Sequence, residues 1–532
     1  MTHTSSKVWS AEVRAGSYGG HDGLVYDCGP STFDDLVSGT RVWTDRPFLV
    51  HGDRRITFTG FRTAAYAARA HLAGLGIESG DRVMVSGYNS PEWVVALWAL
   101  WLSGAVPVLA NRWWSSAEID HAVEVLAPRH VLTDGDLAVT APCSALGDLC
   151  AAFDAGDVDD SPAPDTDADD PALILFTSGS SGMPKAVELS RRSVIYNQHD
   201  IMQRTGRLPH LLDDDSTQVV SLATTPMFHV GGLSSLLTHF LTGGKIVMTE
   251  GRFDAGQILA LIQREGIQIW GAVPTMAIRI LEHPDFDSFD LSSLKSWPLG
   301  GAPVTTALLD RIRAKLPRLR ERGLSNTWGM TEAGGFLTVA DARDLSRHPG
   351  TVGRPYPVVE IRIADPDDDG VGEVLARSPT VMNGYVGVDA AVLGVQAAET
   401  VDADGWLHSG DLGHLTEDGY LYIDGRSKDV VIRGGENIAC PHVEAAIATH
   451  PTVVEVAALG IPHPDLGEEL VAVVVHQADA EPPTAEDLTA HVTGVLSYFA
   501  IPTRWEIRAQ PLPTLAGEKI DKKSLARSFG AN

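Results

Sequence analysis

Cysteine is nearly absent: Cys28, Cys143, Cys150 and Cys440 are the four among 532 residues, and no two stand in C-x-x-C spacing. That scarcity excludes a disulfide scaffold, offers no zinc-binding pattern and fits a reducing, cytoplasmic compartment. Basic residues are also short. With 41 Lys+Arg against 69 Asp+Glu the net charge is −28, a field that repels a phosphate backbone, so nucleic acid is not an expected partner. No apolar run is long enough for a membrane span; the longest, 93–110, is broken by Ser103, Gly104 and Pro107 and reads as a helix followed by a buried strand. Residues 1–20 are polar and lack a basic stretch ahead of an apolar core, so no signal peptide is expected. A Walker A string is missing, and the G-x-G pairs at Gly74/Gly76 and Gly370/Gly372 lack the third glycine of a dinucleotide fingerprint.

What the chain does have is alternation of helical and extended patterns from residue 50 onward. Residues 61–75 and 91–102 read as helices, 82–86, 106–109 and 130–132 as strands, and Ser115 with Glu118 as a capping box. Repeated β-α-β implies a largely parallel sheet covered by helices. Eight aspartates between 154 and 170 predict a solvated connection, followed by a second α/β unit over 171–345. Residues 354–384 look β-rich. After Arg426 comes a smaller α+β unit with strands at 454–459, 471–476 and 505–508 and a helix at 486–496.

Chemistry concentrates first in Thr177-Ser178-Gly179-Ser180-Ser181-Gly182-Met183-Pro184-Lys185, directly after an apolar run. Hydroxyls, backbone N–H groups and one cation on a strand-loop unit suit phosphate oxygens. The segment resembles the signature loop of the adenylate-forming superfamily, which includes acyl- and aryl-CoA ligases. Seven further strings stand in that family's order: Pro226-Met-Phe-His229, Gly300-Gly-Ala-Pro303, Trp328-Gly-Met-Thr331-Glu332, Gly405-Trp-Leu-His-Ser-Gly-Asp411, Gly425-Arg426-Ser-Lys428-Asp429, Gly434-Gly435-Glu-Asn437 and Gly517-Glu-Lys519-Ile.

The resemblance implies an α/β fold. A large N-terminal domain over 1–424, built of α/β subdomains with a small β-rich one, would carry a small mobile α+β lid over 425–532. It implies ATP, Mg²⁺ and coenzyme A as partners of a small carboxylic acid. The loop 177–185 would surround the β- and γ-phosphates, Gly301, Ala302 and Pro303 would lie beside adenine, and Asn326, Trp328 and Gly329 would complete the nucleotide site. Thr331 would bond the α-phosphate, Glu332 would hold Mg²⁺, and Asp411 and Arg426 would take the ribose. Lys519 would bridge the substrate carboxylate and the α-phosphate, and Lys428 would be the hinge. Gly434 and Gly435 would face the pantetheine channel. His229, Gly231, Trp270, Thr275 and Gly300 are the substrate-pocket candidates. Dimers are common in that family, so a homodimer is an expectation by analogy.

The function implied is an ATP-dependent acid–CoA ligase acting through an acyl-AMP on a fatty or other apolar acid. The alternatives are an aromatic or heteroaromatic acid ligase, an adenylating enzyme with a non-CoA acceptor, and a catalytically weakened nucleotide- or acyl-binding homologue. No Asp stands in 226–232 to meet an α-amino group, which lowers amino acids in rank. Trp328 stands where the family usually has Tyr, Ala186 where Gly is common and Ser409 where Thr is common. Glu518 replaces the Gly beside the catalytic lysine, adding a negative charge there.

Overall fold

The computed structural model describes residues 8–164, 166–178, 184–320, 322–387, 400–426, 430–433, 436–463, 466–493, 495–496, 498–515 and 519–530. Helix Pro91–Leu102 begins where the sequence places it, because Ser90 accepts the Trp93 N–H at 3.2 Å and Pro91 occupies the first turn, where no donor is needed. All twelve of its residues are buried, so it is a core helix, followed by strand Val106–Ala110. Among the described residues no helix is long and apolar enough to cross a membrane. The capping box also forms: Ser115 and Glu118 exchange bonds at the start of Ser116–Leu126.

The two α/β units are interlaced rather than consecutive. Strands Arg82–Ser86, Val106–Ala110, His130–Thr133 and Cys143–Ala145 lie in one seven-stranded sheet with the later strands Pro171–Ser178, Pro184–Ser190 and Gly384–Val386. The early strands Pro47–His51 and Arg54–Thr57 instead join Val220–Ala223, Lys245–Met248 and Ile269–Trp270. Parallel pairing needs long crossovers, so neighbours in a sheet are distant in sequence, and an acidic stretch marks no sheet boundary. That stretch is exposed but not loose: Arg41 pairs with Asp160 at 2.7 Å and Arg192 with Asp169 at 2.6 Å.

Two four-stranded sheets follow, one of Trp297–Gly300, Leu324–Met330, Gly335–Ala340 and Arg354–Pro355, the other of Glu360–Ala364, Gly372–Arg377, Leu407–Leu415 and Leu421–Arg426. The C-terminal sheet is separate, built on Val453–His463 and Gly467–His476 with Val430–Arg433, Glu436–Ala439 and Arg504–Arg508 at its sides. Alternate residues of its central strand feed two cores. Leu470, Ala472 and Val474 pack with Val443 and Leu488, while Val471, Val473 and Val475 pack with Leu512 and Leu525. The helix expected at 486–496 is Ala485–Val492, ending where Thr493 turns extended. The molecule is thus α/β with a large N-terminal and a small C-terminal domain.

Candidate active site

Two backbone bonds tie the chain around Lys519, Leu515 N–H to the Lys519 carbonyl at 2.7 Å and Asp521 N–H to the Pro513 carbonyl at 2.8 Å. The Lys519 Cε lies 3.9 Å from where a Cβ on Gly301 would stand, more than 200 residues earlier in the chain, and its charge is felt at His229. Gly301 adopts φ +76°, a left-handed conformation that favours glycine. A Cβ on its neighbour Gly300 would meet Thr327 Oγ1 at 2.5 Å, so the strand end stays bare of side chains. Ala302 is half-buried and Pro303 exposed in the same loop.

The phosphate-loop candidate begins and ends in one antiparallel strand pair: Ser178 pairs with Pro184 and Thr177 with Lys185. Gly179, Ser180, Ser181 and Gly182 lie outside the described residues, as does the Ser178 side chain. The Lys185 ammonium stands 5.1 Å over the Tyr385 ring, and the Tyr385 hydroxyl donates to Glu332 Oε1 at 3.1 Å. Burial, then the Glu332 charge, raises the Tyr385 hydroxyl above the ordinary phenol value, keeping it protonated as the donor. Thr331 and Glu332 open a short 3₁₀ turn, Thr331–Ala333, and the Glu332 carbonyl accepts from the Met382 N–H at 2.9 Å. Tyr385 is therefore a candidate site residue that sequence reading missed. It lies 53 positions from Glu332 in sequence and only the sheet pairing of Gly384–Val386 with Pro184–Ser190 brings it in.

Asp411 and Arg426 face each other across neighbouring strands, as Cα partners in register. The Arg426 side chain lies outside the described atoms. Asp411 is buried, and Trp328 Nε1–H donates to its Oδ2 at 2.7 Å. Gly329 must lack a side chain, since a Cβ would fall 2.1 Å from the Gly335 carbonyl oxygen. Asn326 is buried too and gives its Nδ2–H to the Thr351 carbonyl at 3.0 Å, so that amide donor braces the strand.

His229 stands at the N-cap position of helix Val230–Leu241, without a side-chain capping bond. Its Nε2 is buried without a hydrogen-bond partner among the described residues. Burial, reinforced by the Lys519 charge, pushes its pKa down to about 4, so the ring is neutral. The segment ahead of it is clamped by Asn89, which donates to the Thr225 carbonyl at 3.0 Å and accepts from Met227 N–H at 2.9 Å. Gly231 faces Phe336, its Cβ position 3.9 Å from Cζ. Thr275 is buried in the first turn of Pro274–Leu281. Trp270 is 0% exposed, gives its indole N–H to Thr224 Oγ1 at 2.9 Å and packs on Trp297. Lys428, Gly434, Gly435 and Glu518 lie outside the described residues.

Residues 38–386 match the AMP-binding enzyme model and residues 442–516 the AMP-binding enzyme C-terminal domain. The chain belongs to the AMP-binding enzyme family. It is 32% identical over 491 residues to a feruloyl-CoA synthase of Amycolatopsis sp., covering 90% of this chain and 95% of that protein. It is 30% identical to 4-coumarate–CoA ligase 2 of Oryza sativa subsp. japonica, covering 82% of each. The solved o-succinylbenzoate coenzyme A synthetase from Bacillus subtilis, in complex with ATP and magnesium ion, superposes with TM-score 0.75 at 26% identity, covering 92% of this chain and 98% of that one. This AMP-binding enzyme is an AMP-forming acid–CoA ligase that uses ATP, Mg²⁺ and coenzyme A on a small carboxylic acid.

The residues present fit those groups. At Gly301 the space a Cβ would take is open, with Val273 Cγ1 at 3.5 Å and Lys519 Cε at 3.9 Å, which suits close approach of a nucleotide. Glu332 has Oε1 fixed by Tyr385 and makes no hydrogen bond through Oε2 among the described residues, which presents a hard oxygen of the kind Mg²⁺ favours.

Proposed function

We propose that this ligase activates an aromatic carboxylic acid, narrowing the apolar acid expected from sequence to its aromatic alternative. The acid's oxygen attacks the α-phosphorus of ATP, the bond to the β-phosphate breaks and pyrophosphate leaves. The coenzyme A sulfur then attacks the acyl carbon and AMP departs. The observation that carries the chemistry is Lys519 beside Gly301 and His229: an ammonium delivered to a cradle where a carboxylate and a phosphate must be brought together against their mutual repulsion. The segment 177–185 would hold the β- and γ-phosphates, Thr331 the α-phosphate, Asp411 and Arg426 the ribose. When bound at Glu332, Mg²⁺ neutralises phosphate charge. The aromatic assignment is supported by the feruloyl- and coumarate-ligating relatives. Four free thiols suit a cytoplasmic setting.

A carboxylate panel scored by pyrophosphate release, with and without coenzyme A, tests this. Cinnamate- and benzoate-type acids should outpace straight-chain acids of similar size by about tenfold or more in kcat/KM, the range that a hydrophobic slot delivers. A preference for alkyl acids would overturn the aromatic assignment, and release with no acid at all supporting turnover would overturn the ligase reading.

A further inference from the structure

We propose that Asn89 is a positioning residue for the acid pocket: its carboxamide clamps the backbone of Thr225 and Met227, sets where the His229 ring stands, and thereby decides which carboxylic acids the ligase accepts. The inference rests on the reading that His229 lines the acid pocket. Asn89 Nδ2–H donates to the Thr225 carbonyl at 3.0 Å, and Asn89 Oδ1 accepts from the Met227 N–H at 2.9 Å. The two partners flank Pro226, a residue with no N–H of its own to give. A primary amide carries a donor and an acceptor side by side, so one short side chain meets both backbone groups. The opposite flip of the amide would set oxygen against oxygen and N–H against N–H, so the two partners fix its orientation.

The clamp matters because the imidazole has little else to hold it. His229 makes no side-chain capping bond, and its buried Nε2 has no hydrogen-bond partner among the described residues. The ring it meets, Phe228 at 4.7 Å, is carried by the same segment. The place of the imidazole is therefore inherited from the backbone ahead of it, and that backbone is gripped from two sides. On the helix side, His229 N–H donates to the Pro226 carbonyl at 3.1 Å, and a Cβ on Gly232 would fall 2.3 Å from that same oxygen. On the other side stands Asn89, on a rigid mount. Tyr88 N–H donates to Asp134 Oδ2 at 2.8 Å, and Ser90 caps the fully buried helix Pro91–Leu102. Asn89 is half-buried and lines a cavity of about 320 Å³, so shortening its side chain enlarges a space already present instead of hollowing a core. Thr331, Glu332 and Asp411 lie on or directly after strands of two other sheets, which leaves the nucleotide site outside the reach of this clamp.

The test is steady-state pyrophosphate release by the full-length wild type, Asn89→Ala, Asn89→Asp and His229→Ala, with cinnamate and nonanoate, acids of equal carbon count, as probes. Leaving a backbone group without its partner carries a penalty equivalent to about tenfold in an equilibrium constant. Asn89→Ala should therefore raise the KM of whichever acid the wild type prefers by about tenfold and draw the ratio of the two kcat/KM values toward one. The KM for ATP should stay where it is. Asn89→Asp keeps the acceptor for Met227 and sets an oxygen against the Thr225 carbonyl, so it should lose as much, and it serves in place of the alanine variant where that one folds poorly. Asn89 variants that melt lower but keep the wild-type ratio, or that raise the KM for ATP as much as that for the acid, would show a structural brace only and overturn the inference. A wild type that treats the two acids alike overturns it too. His229→Ala separates the layers. An unchanged ratio there removes the acid-pocket reading and this inference with it, whereas a collapsed ratio there beside an intact one in both Asn89 variants leaves the pocket reading standing and overturns this inference alone.

Discussion

At the scale of single residues, the site depends on small polar groups that hold larger ones in place. Glu332 owes the orientation of Oε1 to the Tyr385 hydroxyl at 3.1 Å, across 53 positions of sequence. Partners of metal-ligating carboxylates commonly govern affinity by 10- to 100-fold. Tyr385→Phe should therefore weaken Mn²⁺ binding to the enzyme–ATP complex about tenfold, read by electron paramagnetic resonance titration, while the fold survives because the ring remains. Unchanged metal affinity would show that Glu332 needs no help from Tyr385. At the same scale, the Thr224 hydroxyl and the Trp297 ring hold Trp270, a pocket candidate from its sequence, within a core cluster.

At the scale of elements, the N-terminal hairpin of Val13–Tyr18 and His21–Tyr26 is fastened to helix Arg191–Arg204 by a buried polar clasp. The Tyr26 hydroxyl donates to Asp200 Oδ1 at 2.6 Å, and His199 stacks on Tyr26 at 3.7 Å while its Nε2–H donates to the Ser10 carbonyl at 2.7 Å. Burial pushes Asp200 up to about 8, against the opposing pull of the Tyr26 hydroxyl. The folded state therefore keeps a proton that the unfolded chain releases near pH 4. The contribution to stability is greatest below that point and is lost as pH climbs through about 8. Asp200→Asn keeps the neutral shape and should flatten the fall of Tm between pH 5 and 9, melting on the order of 2 °C above the wild type at the alkaline end. Parallel Tm profiles for the two proteins would show that Asp200 carries no such penalty. Nothing in the local pattern of 191–204 announced this clasp, since its partner strand lies 174 positions away.

At the scale of the whole molecule, the proposed function rests on the small C-terminal domain, with two cores of its own, bringing Lys519 beside Gly301 of the large domain. If that domain serves adenylation in the pose seen here and then turns about Lys428, the ammonium is needed for one half-reaction only. Lys519→Ala should lower pyrophosphate release by 10³-fold or more, the scale of losing a charge aimed at the reacting phosphate. It should largely spare conversion of supplied acyl-AMP and coenzyme A to thioester. Equal loss in both assays would overturn the rotation account.

The sequence by itself determined the local elements and the chemistry available. Ser90-Pro91 and Ser115-x-x-Glu118 are local signals, complete within one turn of chain, and so were legible. The motif strings put Asp411, Thr331, Glu332 and Lys519 forward as the residues of the proposed site. Only the tertiary structure decided which strands share a sheet, that Trp328 grips Asp411, that Tyr385 holds Glu332 and that Trp270 belongs to the core. Those outcomes come from parallel crossovers and side-chain packing between segments far apart in the chain, where no short window of residues carries the information.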